Sequence, residues 1–320
     1  MAESGPQEGG TTEGNDNLDW MSKLPSRLQR VSLWNLAIPG SHDTMGYDLD
    51  MESDILDPES LIPVSKLHCV RALIHKWATT QELNICQQLD AGVRFFDMRV
   101  ARKPDDPDPT RTFFYHGLYT HSDVETVLST VSHWAAGHPT EVLLLALSHF
   151  RGMEDHHHQH LIDFITQLFG AKLVLVADQP TLRFCWDSGR HILVSYDHPA
   201  NHNLQMWRKI PYFYGNTIVP SEVVTVLDKK LRTQTPINYF FVCGLNLTLP
   251  DGLGALKYLS KTLRSVTLEG LPFLLDWVNR QYPGPFNDHI NIIASDFVNL
   301  LDFVSTVVQL NGKMPALLNK

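Results

Sequence analysis

Short apolar runs alternate along the chain with longer amphipathic stretches, and this alternation restricts the fold more than any other feature. Val142–Leu147 is apolar at every position, which is typical of a strand buried on both faces of a sheet. Strands that alternate with helices predict βα units and a parallel sheet. The predicted strands are Trp34–Ile38, Val93–Arg99, Thr112–His116, Val142–Ser148, His191–Tyr196, Tyr239–Leu245 and Ile290–Ser295, with a weaker one around Tyr212–Tyr214.

The stretches between these strands predict helices. Thr79 and Glu82 have the spacing of a capping box, and Gly92 is a typical stop after the helix that would follow. The predicted helices are Glu82–Ala91, Asp123–Ala136, Asp155–Phe169, Ser221–Arg232, Gly254–Val266 and Phe297–Leu310.

About eight strands, each followed by helical sequence, favour an α/β fold with a single (β/α)8 TIM-type barrel that is irregular at the weak strand. The 320 residues suffice, because such barrels take about 250 residues. An open doubly wound sheet is the alternative, but neither a GxGxxG motif nor a P-loop motif follows any strand. Residues 1–18, rich in Gly, Glu and Thr, predict a disordered leader, and residues 19–320 are predicted to form the barrel.

Charge and composition exclude several classes of protein. The formal net charge of −9 disfavours nucleic-acid binding and a polybasic membrane anchor. No apolar run approaches the roughly 18 residues of a spanning helix, and the N-terminal sequence does not resemble a signal peptide. The four cysteines form no CxxC pair, so we expect reduced thiols, a cytoplasmic location and only transient peripheral contact with membranes.

Polar side chains follow the predicted strands at their carboxyl ends, where barrel enzymes place reactive groups. Asp97 and Arg99 alternate with apolar neighbours, so both should face the same way. The candidate site residues at these ends are His42, Asp43, Asp97, Arg99, His116, His149 and Asp296. Histidines, carboxylates and an arginine at one rim would form an acid/base site with a cationic stabiliser.

Three segments in order, 36–44, 88–99 and 115–117, resemble the X-box of phosphatidylinositol-specific phospholipases C. From about Asp19 to Asn311 the chain is similar to the phosphatidylinositol-specific phospholipase C X-domain-containing proteins, with an X-box core at about 30–200. The resemblance implies a role in lipid degradation and signal transduction. It implies cleavage of inositol phospholipid at a membrane surface to diacylglycerol and an inositol (cyclic) phosphate.

The resemblance also implies roles for individual residues. His42 matches the general base that acts on the inositol 2-hydroxyl, and His116 matches the general acid that protonates the departing diacylglycerol oxygen. Asp296 matches the carboxylate that orients the first histidine. Asp43 and Asp97 match carboxylates that support the second histidine and the arginine.

Arg99 stands where calcium-dependent relatives carry a metal-binding acid, so the resemblance implies metal-independent catalysis without a cofactor. A guanidinium can stabilise a phosphate oxygen as a divalent ion would. Basic residues that bind the inositol ring in bacterial enzymes are missing at the fourth and fifth predicted strands. His149, Arg151 and Tyr196 are therefore candidates for binding the headgroup.

Two other functions remain open from sequence. The chain could be a phosphodiesterase acting on soluble glycerol phosphodiesters, or a catalytically weak phosphoinositide-binding or signalling scaffold. The acidic loop 43–65 lies beside the proposed site as a candidate lid. His156 and His160 have the spacing of a zinc pair, but a solvated helical face is the favoured interpretation.

Overall fold

A mostly parallel sheet with helices packed against it forms the framework of the protein. The computed structural model describes residues 17–57, 63, 66–201, 205–250, 258, 260–285 and 288–314. The strands are β1 (Ile38–Ser41), β2 (Phe95–Ala101), β3 (Phe113–His116), β4 (Leu118–Asp123), β5 (Leu143–Arg151), β6 (Ile192–Tyr196), β7 (Tyr212–Phe213), β8 (Val242–Gly244) and β9 (Ile292–Ser295). The helices are α1 (His68–Ala78), α2 (Ile85–Ala91), α3 (Val124–Gly137), α4 (Asp155–Phe169), α5 (Leu182–Ser188), α6 (Pro220–Gln234), α7 (Leu263–Asn279) and α8 (Phe303–Gln309).

The parallel strands follow the order β6-β5-β2-β1-β9-β8-β7. This confirms the predicted α/β class with parallel βα units. A single parallel bridge between Ser195 on β6 and Trp207, just before β7, lies between the two ends of this order. The weak strand predicted at Tyr212–Tyr214 is only the two residues of β7.

Both faces of the sheet are buried, as the apolar composition of its strands predicts. On β5, Leu143, Leu145 and Leu147 belong to one core cluster, which includes the helices α3 and α4. Leu144 and Ala146 belong to a second cluster on the opposite face. The same alternation on β2 places Asp97 and Arg99 on the face of Phe95, the predicted arrangement.

The predicted third strand forms but does not join the parallel strands. β3 runs antiparallel to β2, with Val100 opposite Phe114, and β4 folds back on β3 directly after it. Gly117 makes this tight reversal with a φ of 72°, in the left-handed region that favours glycine. His116 therefore ends a strand that runs back alongside the carboxyl-terminal part of β2.

Several element boundaries differ from the prediction. Leu33–Asn35 forms a 3-10 helix and the first strand begins only at Ile38. The capping box lies at Asn84 and Gln87 rather than at Thr79 and Glu82, so α2 begins at Ile85. At the last predicted helix, α8 begins only at Phe303, because Phe297, Leu301 and Asp302 have positive φ values.

Part of the predicted helix Gly254–Val266 lies outside the described residues, and α7 extends from Leu263 to Asn279. The predicted leader likewise lies outside them up to residue 16. Asn17 donates a hydrogen bond to Ser305, and Leu18 packs against the core. None of the described helices is long and apolar enough to cross a membrane.

The described part of the acidic loop, 43–57, is docked on the hairpin rather than standing free. Leu49 and Ile55 form antiparallel bridges with Thr120 and Leu118. Both side chains are buried in a small cluster with Ile74 and Ala78 of α1. The loop therefore forms a fixed wall beside His116, and residues 58–62 and 64–65 lie outside the described residues.

Candidate active site

The carboxyl ends of the strands surround a cavity of about 490 Å³. It is lined from β2, β5, β6, β7 and from the segments that follow β1, β8 and β9. Its wall contains these predicted site residues: His42, Asp97, Arg99, His116, His149 and Asp296. Asp43 lies directly beneath them with its side chain 2% exposed.

His42 is held by a carboxylate on a neighbouring strand end. Its Nδ1 lies 2.7 Å from Oδ1 of Asp296, and an N–H at Nδ1 donates to this oxygen. Its Nε2 is 3.0 Å from a terminal nitrogen of Arg99 and 3.3 Å from Oδ2 of Asp43. Burial lowers the pKa of His42, but the carboxylates of Asp43 and Asp296 raise it by more, so the net pKa lies above its ordinary value.

His116 is oriented by the backbone at the end of α1. Its Nδ1 lies 2.7 Å from the carbonyl oxygen of Ala78, which accepts a hydrogen bond from this nitrogen. Its Nε2 lies 3.3 Å from Oδ2 of Asp43, the same oxygen that His42 approaches. The two imidazole rings are 6.2 Å apart, and each presents Nε2 to the same region.

Arg99 is the cation of the site. Its Nε forms an ion pair with Oδ1 of Asp43 at 2.7 Å, and a terminal nitrogen lies 3.7 Å from Oδ2 of Asp97. Burial lowers the pKa of Arg99, but these two carboxylates raise it by more, so the guanidinium stays charged. For Asp43, burial raises the pKa, and Arg99 and the two histidines lower it by more, so its carboxylate is ionised.

Asp43 has a strained backbone, with a φ of 39°. Its N–H donates to Oδ2 of Asp97 at 3.2 Å, and the N–H of Thr44 donates to the carbonyl of Asp97. A non-glycine residue in the left-handed region persists only when its surroundings fix it, and such strain collects at functional sites. These hydrogen bonds to β2 fix the turn that presents both His42 and Asp43.

Three of these residues also have the spacing of metal ligands. His42, Asp43 and Asp97 each offer one ligand atom within 4.8 Å of the others. The guanidinium of Arg99 already contacts His42 and Asp43, so an added cation would meet an existing positive charge.

The three residues predicted to bind the headgroup have different positions. His149 lines the cavity with a φ of 52°, and its Nδ1 is 2.8 Å from the hydroxyl of Ser148. Tyr196 is not at the cavity: it is 1% exposed, and its hydroxyl is hydrogen-bonded to Nδ1 of His158 at 2.8 Å. The alternation along β6 explains the position of Tyr196. Ser195 faces the cavity, so the side chain of Tyr196, the next residue, faces the helices.

Arg151 also lies away from the cavity. Its guanidinium donates to the carbonyl of Leu56 at 2.7 Å and to Asp57 at 2.9 Å. Arg151 therefore anchors the loop 43–57, and of the three predicted headgroup residues only His149 remains at the site.

Sequence reasoning missed several polar residues of the cavity wall, among them Lys209, Tyr212 and Asn246. Lys209 pairs with Asp197 at 2.7 Å. The ring of Tyr212 lies 5.9 Å from that of His42, and its hydroxyl donates to Oδ1 of Asn246 at 3.2 Å. Asn246 follows β8, so the strand-end rule could have found it, whereas the two-residue β7 gives too weak a pattern.

Gly244 leaves the space that this arrangement needs. A Cβ at this position would lie 2.4 Å from Cε1 of Tyr212 and 2.4 Å from Oδ1 of Asn246. Any larger residue would have to displace one of these two cavity side chains.

A larger cavity of about 980 Å³ lies elsewhere, between α3, α4 and the segment 108–111, and contains none of the candidate catalytic residues. His160 lines it and pairs with Glu125 at 2.7 Å. His156 is exposed and lies near Glu154, so the two histidines of the considered zinc pair have separate acidic partners.

Comparisons with known proteins place the chain in a family. No protein-family model matches the sequence. PI-PLC X domain-containing protein 1 of Danio rerio is 39% identical over 300 residues, covering 92% of this chain and 96% of that protein. Its human namesake is 39% identical over 307 residues, 94% of each chain. PI-PLC X domain-containing protein 2 of Mus musculus is 36% identical over 96% of this chain and 92% of that protein.

Solved structures share the fold at low sequence identity. A mutant phosphatidylinositol-specific phospholipase C from Staphylococcus aureus matches with a TM-score of 0.63 at 16% identity, covering 92% of this chain and 96% of that one. The enzyme from Listeria monocytogenes matches with a TM-score of 0.59 at 21% identity, covering 92% and 98%. Since its curated relatives match more than nine-tenths of its length at well over 30% identity, the chain belongs to the family of PI-PLC X domain-containing proteins.

Proposed function

We propose that the protein is a phospholipase C-type phosphodiesterase that cleaves inositol phospholipid to diacylglycerol and a cyclic inositol phosphate. One observation carries the proposal. Oδ2 of Asp43 lies 3.3 Å from Nε2 of both His42 and His116, so two imidazoles present their reactive nitrogens to one point beside a guanidinium. A base, an acid and a cation in one cavity are what an in-line phosphoryl transfer needs.

The orientation of each imidazole supports the assignment of its role. Because Nδ1 of His42 is bound to Asp296 and Nδ1 of His116 to the Ala78 carbonyl, each ring turns Nε2 toward Asp43, and Nε2 of His42 also lies beside Arg99. In the proposed step, Nε2 of His42 takes the proton of the inositol 2-hydroxyl, whose oxygen forms a bond to phosphorus. The bond from phosphorus to the diacylglycerol oxygen breaks, and this oxygen takes a proton from Nε2 of His116.

Arg99 would stabilise the charge that builds on the non-bridging phosphate oxygens. One of its terminal nitrogens lies 3.0 Å from Nε2 of His42, so a phosphate beside the base would meet its N–H groups. Such preorganised donors contribute about 10²- to 10³-fold in rate. This role makes catalysis independent of a metal ion or other cofactor.

The rest of the cavity wall suits a polyhydroxylated ring. His149, Lys209 and Asn246 supply polar groups, and Tyr212 and Tyr214 supply aromatic faces. Apolar surface with a few convergent polar groups is typical of small-ligand sites. Tyr214 is 43% exposed, and this favours transient contact of the cavity region with a membrane surface on the cytoplasmic side.

We also propose that the sheet closes into a TIM-type barrel. Residues from all seven parallel strands or their carboxyl ends line one cavity, and the bridge between Ser195 and Trp207 lies where β6 and β7 would meet. Both features support a sheet that closes around the site with an irregular junction between β6 and β7.

A substrate panel tests the proposal. The purified protein is incubated in EDTA with phosphatidylinositol vesicles, phosphatidylinositol phosphate vesicles or glycerophosphoinositol, and water-soluble phosphates are analysed by phosphorus NMR. We expect a cyclic phosphodiester from at least one inositol lipid. Turnover of glycerophosphoinositol alone would show that the substrate is a soluble glycerol phosphodiester and not a lipid. Vesicle binding without turnover would indicate a scaffold.

A further inference from the structure

A buried glutamine between α1 and α2 contacts the backbone on both sides of the His42 and Asp296 pair. The amide nitrogen of Gln81 donates to the carbonyl of His42 at 2.9 Å and to the carbonyl of Ser295 at 3.0 Å. Its amide oxygen accepts from the N–H of Val298 at 3.2 Å. Gln81 is fully buried and does not line the cavity, so it cannot contact a substrate there.

These contacts lie where the ladder between β1 and β9 ends. The N–H of His42 makes the final direct bond, to the carbonyl of Ser295 at 3.1 Å. Beyond this bond the segments that follow β1 and β9 separate, because Asp43 and Phe297 both turn with positive φ. The side chain of Gln81 bridges the two backbones at this point, in place of the next rung of the ladder.

The preceding residue adds a second link. The hydroxyl of Thr80 donates to the carbonyl of Asp43 at 2.7 Å, and its own carbonyl accepts from the N–H of Phe297 at 2.7 Å. Thr80 is also fully buried. The two residues thus tie the turn after β1 to the turn after β9 through hydrogen bonds that involve no cavity side chain.

We propose that Gln81 is a positioning residue that sets the distance between the His42 imidazole and the Asp296 carboxylate. The two side chains lie on different strand ends, so their 2.7 Å contact depends on how those ends are held together. The kinetic consequence rests on the proposed function, whereas the geometric consequence does not. Misplacement of a catalytic group by about 1 Å can cost about 10²-fold in rate.

The test compares Gln81→Met with Gln88→Met. Methionine keeps the length of the side chain and removes its hydrogen bonds. Gln88 is also fully buried, and its amide donates to the carbonyls of Thr44 at 2.9 Å and Leu83 at 2.8 Å. It is a matched control, because it loses the same kind of bonds without touching the backbone of His42 or Ser295.

Two measurements are made on each variant. The first is the low-field proton resonance of the His42 Nδ1–H, assigned by its absence in His42→Ala. The second is kcat and KM on phosphatidylinositol vesicles. We expect Gln81→Met to lose or broaden the resonance and to lose about 10- to 100-fold in kcat with little change in KM. Gln88→Met should keep the resonance.

An unchanged resonance and kcat in Gln81→Met would overturn the proposal, and so would equal loss of the resonance in both variants. If Gln81→Met does not fold, Gln81→Asn takes its place, because the shorter amide cannot span both carbonyls and should also lose the resonance. If the wild type shows no turnover, the proposed function fails, and the resonance still decides the role of Gln81.

Discussion

Nδ1 of His42 lies 2.7 Å from Oδ1 of Asp296, although 254 positions separate the two residues in sequence. The parallel pairing of β1 with β9 brings them together. Ser41 lies opposite Ser295, and His42 and Asp296 directly follow these two serines in the sequence. This contact fixes the N–H at Nδ1 and leaves Nε2 to act on a substrate. The other oxygen of Asp296 accepts no hydrogen bond among the described residues.

Asp296→Asn should reduce activity strongly with little change in fold. An amide is nearly isosteric with the carboxylate, but it no longer stabilises the imidazolium and allows the wrong tautomer of His42. We expect a loss of about 10²- to 10⁴-fold in kcat/KM, the range of general acid–base contributions. Vesicle hydrolysis and thermal unfolding of the same preparation check this. A variant that keeps more than a tenth of the activity would contradict the orienting role.

The pH dependence should reflect the raised pKa of His42. A general base must be neutral, so activity falls as pH drops through this pKa, and the acidic limb of kcat/KM should lie above the ordinary value of about 6.5. Asp43→Asn removes the carboxylate that raises this pKa most, so the limb should move to lower pH. A limb that stays in place, or moves to higher pH, would show that His42 does not control it.

Arg99→Lys should lose about 10²- to 10³-fold in rate, because an ammonium keeps the charge but lacks the planar fork of donors. Arg151→Lys is the matched control: its guanidinium binds Leu56 and Asp57 away from the cavity, so activity should stay near that of the wild type. The wild type should be indifferent to EDTA. Complete inhibition by chelator that calcium reverses would contradict the role given to Arg99.

A buried ion pair on the framework gives a prediction about stability. Nε of Arg94 lies 2.9 Å from Oε2 of Glu141, and neither side chain is exposed. Arg94→Met leaves a buried carboxylate without its partner, so we expect a loss of about 3–5 kcal/mol in the free energy of unfolding. The double variant that combines Arg94→Met with Glu141→Leu should lose less free energy of unfolding, because no buried charge remains unpaired. Urea denaturation compares them, and an equal loss in both would show that charge burial is not the cause.

Much of the site could be predicted because strand ends follow recognisable apolar runs. His42, Arg99 and Asp296 each lie at the end of such a run, and period-two alternation gave the direction of the Arg99 side chain. The same alternation excludes Tyr196 from the cavity, because it directly follows the inward-facing Ser195 on β6.

The rest depends on features that leave little trace in local sequence. Val70, Ile74 and Ala78 of α1 have helical spacing, but this pattern does not indicate that the carbonyl of Ala78 orients His116. Lys209 reaches the cavity from a segment without regular structure. Gln81 acts through long-range hydrogen bonds to two strand ends, and no periodicity marks such contacts.

The central claim is that His42 and His116 act as base and acid in one cavity. The most direct measurement is the rate of cyclic inositol phosphate release from phosphatidylinositol vesicles, in EDTA, by the wild type, His42→Ala and His116→Ala. We predict metal-independent release by the wild type and losses of at least about 10²-fold in each variant, with unchanged thermal unfolding. Retention of more than about a tenth of the wild-type rate in either folded variant would contradict the claim.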